Sequence, residues 1–325
     1  MPAAQNDCIE RIKLMSPPPI QWPDGKKFAF TIFDDTDAST VANSAPVYAL
    51  LRDLGFRTTK SVWALEATEP PVVVGGATCA EDDYRAWALQ LQTEGFEIGF
   101  HNACCHHSKR ERTLAGLRRF EEIFGHPPRS MANHTGCREN LYWGADRVTG
   151  LHRFIYQAAT LGRKSGFKGH VEGDEYFWGD ICKERIAYAR NFVFPDINTL
   201  RACPLMPYHD PLRPWVNEWY ASSEGGVLTS FLETLSEENQ DRLEAEGGAC
   251  VMYAHLGKFF RKDGVVSARF RELMERLAAK NGWFVPVSAV LDHIVAQRGH
   301  HTLTDSERRQ LERRWLLHKF TRGES

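Results

Sequence analysis

The sequence predicts an α/β fold of parallel strands with helices packed outside them, and three observations predict it. Short β-prone runs alternate with helix-period stretches along most of the 325 residues. Ionisable side chains follow directly after several of those runs, at the strand ends where α/β folds gather their active sites. The composition, 42% hydrophobic and 25% charged, is that of an ordinary globular chain, long enough for one large barrel-type domain or two average ones.

Residues 16–25, SPPPIQWPDG, form a stiff proline-rich lead-in, and residues 1–25 are expected to lie outside the main domain. Residues 27–33 read as the first strand. Val47, Leu50, Leu51 and Leu54 then recur at helical spacing, with Gly55 as a stop. The β-branched stretch 57–65 is a second strand, and 96–100 a third, after a helix carrying Tyr84, Trp87, Ala88 and Leu91. A helix over 108–124 ends at Gly125 and leads to a short fourth strand at 129–133. Residues 137–225 are irregular apart from a strand at 191–194. Regularity resumes with a helix over 227–245, a strand at 248–255, a helix around Phe270 to Leu277, a strand at 283–287 and a helix to about 297. Seven or eight strand-helix units, with an irregular middle, favour a distorted barrel over a regular eightfold one. The barrel is expected over 26–298, followed by a basic amphipathic helix in 299–325. That helix has a capping-box start, Thr304 to Glu307, and is expected to dock on the domain or to make an oligomer contact.

A net charge of −2 does not suggest a general nucleic-acid or anionic-membrane binder. No apolar run is long enough for a membrane span, and residues 1–27 have no signal-peptide pattern. Eight scattered cysteines, with Cys104 and Cys105 adjacent, are unlike a disulfide framework, so a reducing cytoplasm is the expected setting.

Four predicted strands end in candidate chemistry. The first ends in Asp34 and Asp35, the third in His101, with His106 and His107 close behind, the fourth in Asn133 and His134, and a late one in His255. Two adjacent carboxylates in a cleft repel each other unless a divalent cation compensates them. Such an ion could take one Asp and leave the other as a general base. The competing reading is that Asp35 or Asp37 caps the next helix. One carboxylate with two imidazoles makes a hydrolytic metal site with open positions for water, suited to Zn²⁺ and also to Mn, Co, Ni or Fe. The second imidazole is left open among His106, His107 and His134. Asn102 is placed to orient a ligand or the substrate, and His255 to act as general acid. A metal-free glycosidase fits poorly, because its paired acids must flank a sugar rather than stand side by side.

The segments TIFDDTD, EIGFHNACCHH and VMYAHLG resemble three motifs of the polysaccharide deacetylases, carbohydrate esterase family 4, in the right order. NGWFVPVSAVLDHI resembles the usual end of that domain, so the resemblance spans about residues 26–295. It implies a distorted (β/α) barrel of seven to eight units and a metal-dependent hydrolase that removes acetyl groups from a carbohydrate. It implies Asp34 as general base, Asp35 and His101 as metal ligands and His255 as general acid. Four positions depart from the family pattern: Thr36 stands in place of Gly, Asn102 in place of Ser or Thr, Cys105 in place of the second His, and His134 in place of Pro. The third ligand is therefore His134 or His106. Asn102, Asn133, Trp178, Asp180 and His209 are candidate substrate contacts. The expected substrate is an acetylated sugar or cytoplasmic glycan precursor, and the alternative is a catalytically degenerate glycan-binding barrel.

Overall fold

The structure, a computed structural model, describes residues 17–322. Seven parallel strands close on themselves: β1 (Phe28–Asp34), β2 (Thr59–Val62), β3 (Glu97–Phe100), β4 (Ser130–Met131), β5 (Tyr188–Phe194), β6 (Glu218–Ser223) and β7 (Ala249–Ala254). Neighbours in that order pair in parallel, and β7 returns to β1 in register from Ala29↔Ala249 to Asp34↔Ala254. The protein is thus a (β/α) barrel of seven strands. Every residue of β1 is buried, as expected of a parallel strand covered on both faces.

Helices wrap the outside: α1 (Val41–Asp53), α2 (Asp82–Thr93) and α3 (Arg110–Phe124) follow the first three strands. Thr40 caps α1 by accepting the Asn43 N–H, so neither Asp35 nor Asp37 serves as its cap. Gly125 ends α3 with φ 78°, the left-handed conformation glycine adopts without penalty. Between β4 and β5 lie α4 (Gly150–Ala159) and α5 (Gly179–Arg185), and after β5 comes the single turn α6 (Thr199–Ala202). The helical run expected over 227–245 is two helices, α7 (Leu228–Thr234) and α8 (Glu237–Glu246). Leu235 and Ser236 separate the two, and the Asn239 side chain bonds the freed Glu233 and Thr234 carbonyls. The outer shell is completed by α9 (Ala268–Ala278), α10 (Val287–Arg298) and α11 (Asp305–Arg322).

The barrel is irregular where the sequence was hardest to read. β4 is two residues long and meets β3 through the single pair Phe100↔Met131. A bulge between Arg190 and Val193 interrupts the pairing of β5 with β6. The expected strand at 283–287 is only Gly282–Trp283, which pairs with the start of β1 outside the closed ring. α11 packs along the body through Trp315, whose ring lies 5.1 Å from Phe192 and 5.5 Å from Tyr156. Among the described residues no helix is long and apolar enough to cross a membrane, and every cysteine is buried and free.

Candidate metal centre

Strand alternation sends the carboxylates after Phe33 in different directions. Asp34 turns outward, between the barrel and α1. Its Oδ2 lies 2.9 Å from Lys60 Nζ and accepts from Tyr48 Oη at 2.9 Å, while Oδ1 accepts the Leu256 N–H at 2.7 Å. The Asp35 N–H still donates to Ala254 O, at 2.8 Å, so extended pairing continues one residue further and the Asp35 side chain faces the barrel interior. There Arg190, reaching across from β5, clasps both its oxygens at 2.8 and 2.5 Å. Burial works against the charge on Asp35, but Arg190 and then His101 outweigh it and keep the carboxyl below its usual range.

Asp37 is the convergence point. Its Oδ1 lies 3.2 Å from His101 Nε2 and 3.2 Å from His134 Nδ1; its Oδ2 lies 3.2 Å from Lys258 Nζ and 3.5 Å from His255 Nε2. These groups arrive from the ends of β1, β3, β4 and β7, and both His101 and His134 are fully buried. Burial opposes the Asp37 charge, but contacts with the three imidazoles outweigh it and hold the carboxyl far below the carboxylate range. Burial likewise favours neutral His134 and pulls its pKa down. For His255 burial acts in the same direction, but Asp37 and Asp35 reverse it and raise its pKa.

The donor set fits a metal ion. His101 Nδ1 sits 2.9 Å from Ala132 O, which can only accept, so this nitrogen carries the proton. The Nε2 of a neutral His101 then presents a bare lone pair to Asp37 Oδ1, another acceptor. His134 Nε2 is buried without a partner. A cation held between one carboxylate and two imidazoles relieves these mismatched contacts. Asp37, His101 and His134 are the residues that could hold it, their donor atoms all lying within 4.8 Å of one another.

The remaining candidates are scattered. His106 is tied to another loop, its Nε2 3.1 Å from the Thr68 N–H and its Nδ1 2.9 Å from His107 O. Asn102 sits behind the centre: it accepts from the His134 N–H at 3.3 Å and donates to Glu139 and Asn140. Asn133 bonds the backbone of Leu141 on both its N–H and carbonyl. The buried Trp178 indole donates to Glu139 O, and Asp180 forms a two-pronged pair with Arg110. His209 bonds backbone carbonyls of Val216 and Asn217. Trp178, Asp180 and His209 thus organise loops and helix ends around the barrel. Asp37, Arg190, Tyr253 and Lys258 are the site residues the motif reading did not assign. The usable signal for Asp37 was its spacing: two residues beyond Asp35, past the end of the strand.

Gly257 keeps the loops carrying His255 and Asp37 together. A Cβ there would stand 2.7 Å from Ser39 Cα, forcing the loop after His255 away from the one that carries Asp37.

Glu139, whose oxygens accept from Asn102 and the Ser108 N–H, carries a pH dependence. Burial pushes its carboxyl up to about 7 from 4.5, against the pull of those donors. The folded chain therefore holds this proton where the unfolded chain has lost it. Stability contributed by Glu139 falls as pH rises from about 4.5 to about 7, by roughly 3 kcal/mol in all. Urea unfolding at pH 5 and pH 7.5 is expected to show wild type losing more stability than Glu139→Gln over that interval. An equal change in both proteins would refute this assignment.

No protein-family model matches the chain, and neither does any curated protein. Solved structures do. A PuuE allantoinase superposes with TM-score 0.51 at 13% identity, covering 88% of this chain and 96% of its own. A probable polysaccharide deacetylase from Pseudomonas aeruginosa PAO1 superposes with TM-score 0.50 at 12% identity, covering 87% and 96%. The chain has the polysaccharide-deacetylase fold. At such identities the likeness is one of fold, and the roles of this chain's residues rest on their own geometry. In that fold this protein brings its carboxylates and imidazoles to the carboxyl-end mouth of the barrel.

Proposed function

We propose that the protein is a metal-dependent hydrolase that removes an acetyl group from an acetylated sugar or glycan precursor. The observation that carries the reading is Asp37 Oδ1, equidistant at 3.2 Å from two buried imidazoles, with Asp35 and His255 on either hand. Asp37, His101 and His134 would hold the ion, and the mixed carboxylate-imidazole set suits zinc, with Mn, Co, Ni or Fe as substitutes. A divalent ion there supplies Lewis-acid chemistry, acidifying water and polarising an acetyl carbonyl.

Asp35 is the general base. It is ionised at neutral pH, lies 3.8 Å from His101 Nε2, and is held rigidly by the Arg190 fork, so it can take a proton from the attacking water. His255 is the general acid. Its Nδ1–H donates to Gly226 O at 2.6 Å, which fixes the ring and leaves Nε2 facing Asp37 and the Tyr253 hydroxyl. With its pKa raised, it keeps a proton for the leaving nitrogen or oxygen. These roles pass the base from Asp34 to Asp35 and the carboxylate ligand from Asp35 to Asp37.

The test is acetate release from a panel of N- and O-acetylated sugars. Release abolished by a chelator and restored by Zn²⁺, Co²⁺ or Mn²⁺ supports the reading. Release that survives chelation overturns it. Sugar binding with a full metal complement and no release would instead favour a glycan-binding barrel that has lost catalysis.

A further inference from the structure

Four arginines among the described residues are buried: Arg147, Arg190, Arg213 and Arg308. Three have carboxylate partners. Arg190 pairs with Asp35, Arg213 with Asp210 and Glu312, and Arg308 with Asp210 and Asp305. Arg147 has none. It is 5% exposed, no acceptor meets its guanidinium, and its Nε is buried with no hydrogen-bond partner. A buried charge without a partner is costly, so a chain that retains one usually has a use for it.

The surroundings of Arg147 define that use. Its guanidinium carbon lies 3.3 Å from the ring centroid of Trp143 and 5.6 Å from that of Trp315. Stacking satisfies the faces of a guanidinium but not its N–H groups, which lie in its plane and point past the rings. After burial Tyr156 acts on it most strongly, and two residues of the candidate site follow. Arg190 and Tyr253 are the site residues that act on it electrostatically, and they hold Asp35 and contact His255 respectively. Burial pulls the guanidinium down to about 9, which leaves it cationic at neutral pH. Arg147 also stands in the long segment that follows β4, among the loops that cover the barrel mouth. Trp143, under it, lines a cavity of about 600 Å³ whose other walls carry Arg138, Arg163, Lys164 and Lys168 against Asp174 and Glu175. That cavity is net positive, and Arg147 meets it only through Trp143.

We propose that Arg147 is a substrate-binding residue that recognises an anionic group, a carboxylate or a phosphate, carried by the acetylated sugar. Such a group accepts two in-plane N–H bonds from a guanidinium, which is what stacking leaves free. This rests on the deacetylase reading for the sugar but not for the anion.

Three probes test it: N-acetylglucosamine, its 6-phosphate, and N-acetylmuramic acid, which carries a carboxylate. Wild type is expected to prefer at least one anionic probe over the neutral one by at least about tenfold in kcat/KM, through KM. The phosphate and carboxylate arms tell which anion is read. Arg147→Met, whose side chain still fills the space between the indoles, is expected to bring that ratio to about one. Arg147→Lys, which keeps the charge, serves should the Met variant fold poorly, and is expected to retain only part of the preference. Calorimetric binding of the same probes makes the test independent of turnover. If no probe releases acetate, a binding preference lost in Arg147→Met still supports anion recognition while the deacetylase reading fails. Equal treatment of neutral and anionic probes, or a preference that survives Arg147→Met, overturns the proposal.

Discussion

Asp37→Asn is expected to empty the metal centre, whereas Asp35→Asn is expected to leave it filled and inactive. Asparagine removes the one negative charge that, among the described residues, faces His101, His134, His255 and Lys258 at once. The ion would then meet two neutral imidazoles beside an ammonium. The loss should exceed the tenfold to hundredfold penalty typical of disturbing an outer partner of a ligand. Turnover should fall with it by at least about a hundredfold. Asp35 differs because both its oxygens are already engaged by Arg190, which compensates its charge in place of a metal. Elemental mass spectrometry on wild type, Asp37→Asn, Asp35→Asn, His134→Ala and His106→Ala checks the whole arrangement. About one ion per chain should survive in Asp35→Asn and His106→Ala and disappear in Asp37→Asn and His134→Ala. A full complement of metal in Asp37→Asn would reassign the centre.

The periodic parts of this fold were legible because burial on both faces gives β1 an unbroken apolar run and because α1, α2 and α3 end in glycine or at a strand start. β6 was not legible. EWYASS lies among prolines and aromatics in the segment 204–225, and its strand character comes from pairing with β5 and β7 rather than from its own pattern. The strand ends pointed to His101, His134 and His255, since position at a barrel mouth follows from topology. The division of labour proposed for the carboxylates did not. It depends on which side of β1 each residue faces after the strand ends, and the extra pairing of the Asp35 N–H with Ala254 O decides that. Arg190 was hidden for the same reason: only closure of the barrel brings β5 across from β1. The choice between His106 and His134 was likewise a question of loop path. The turn at Asn102, with φ 60°, carries the following loop away, so His106 meets Thr68 while His134 stays on the strand end.

Asp34→Ala is expected to destabilise the fold by about 3–5 kcal/mol, the range for removing one partner of a buried ion pair. Asp34 and Lys60 are both fully buried, 2.9 Å apart. Burial alone would drive the ammonium to lose its proton, yet the facing Asp34 carboxylate raises the Lys60 pKa instead. A lysine raised in this way contributes stability at every pH below its unfolded value near 10.5 and loses it only as pH rises through the folded value. The effect should therefore be fully present at pH 7. Without Asp34, the ammonium and the Tyr48 hydroxyl are left in the interior with no anion, so the loss reflects an orphaned charge more than a lost attraction. Asp34→Leu combined with Lys60→Met removes both charges and should recover most of the stability, because an apolar pair of similar volume needs no compensation. Urea unfolding of the two variants provides the check; equal destabilisation would mean that packing, not charge, is what Asp34 supplies. The double variant should still lose activity. Asp34 Oδ1 also holds the N–H of Leu256, the residue after His255, so it acts as a positioning residue for the proposed acid. Metal content should stay near one while kcat falls, with KM little changed. On the proposed mechanism the paired carboxylates at this strand end serve opposite sides of the same wall: Asp35 would face the reaction, and Asp34 braces the loop that carries the proposed acid.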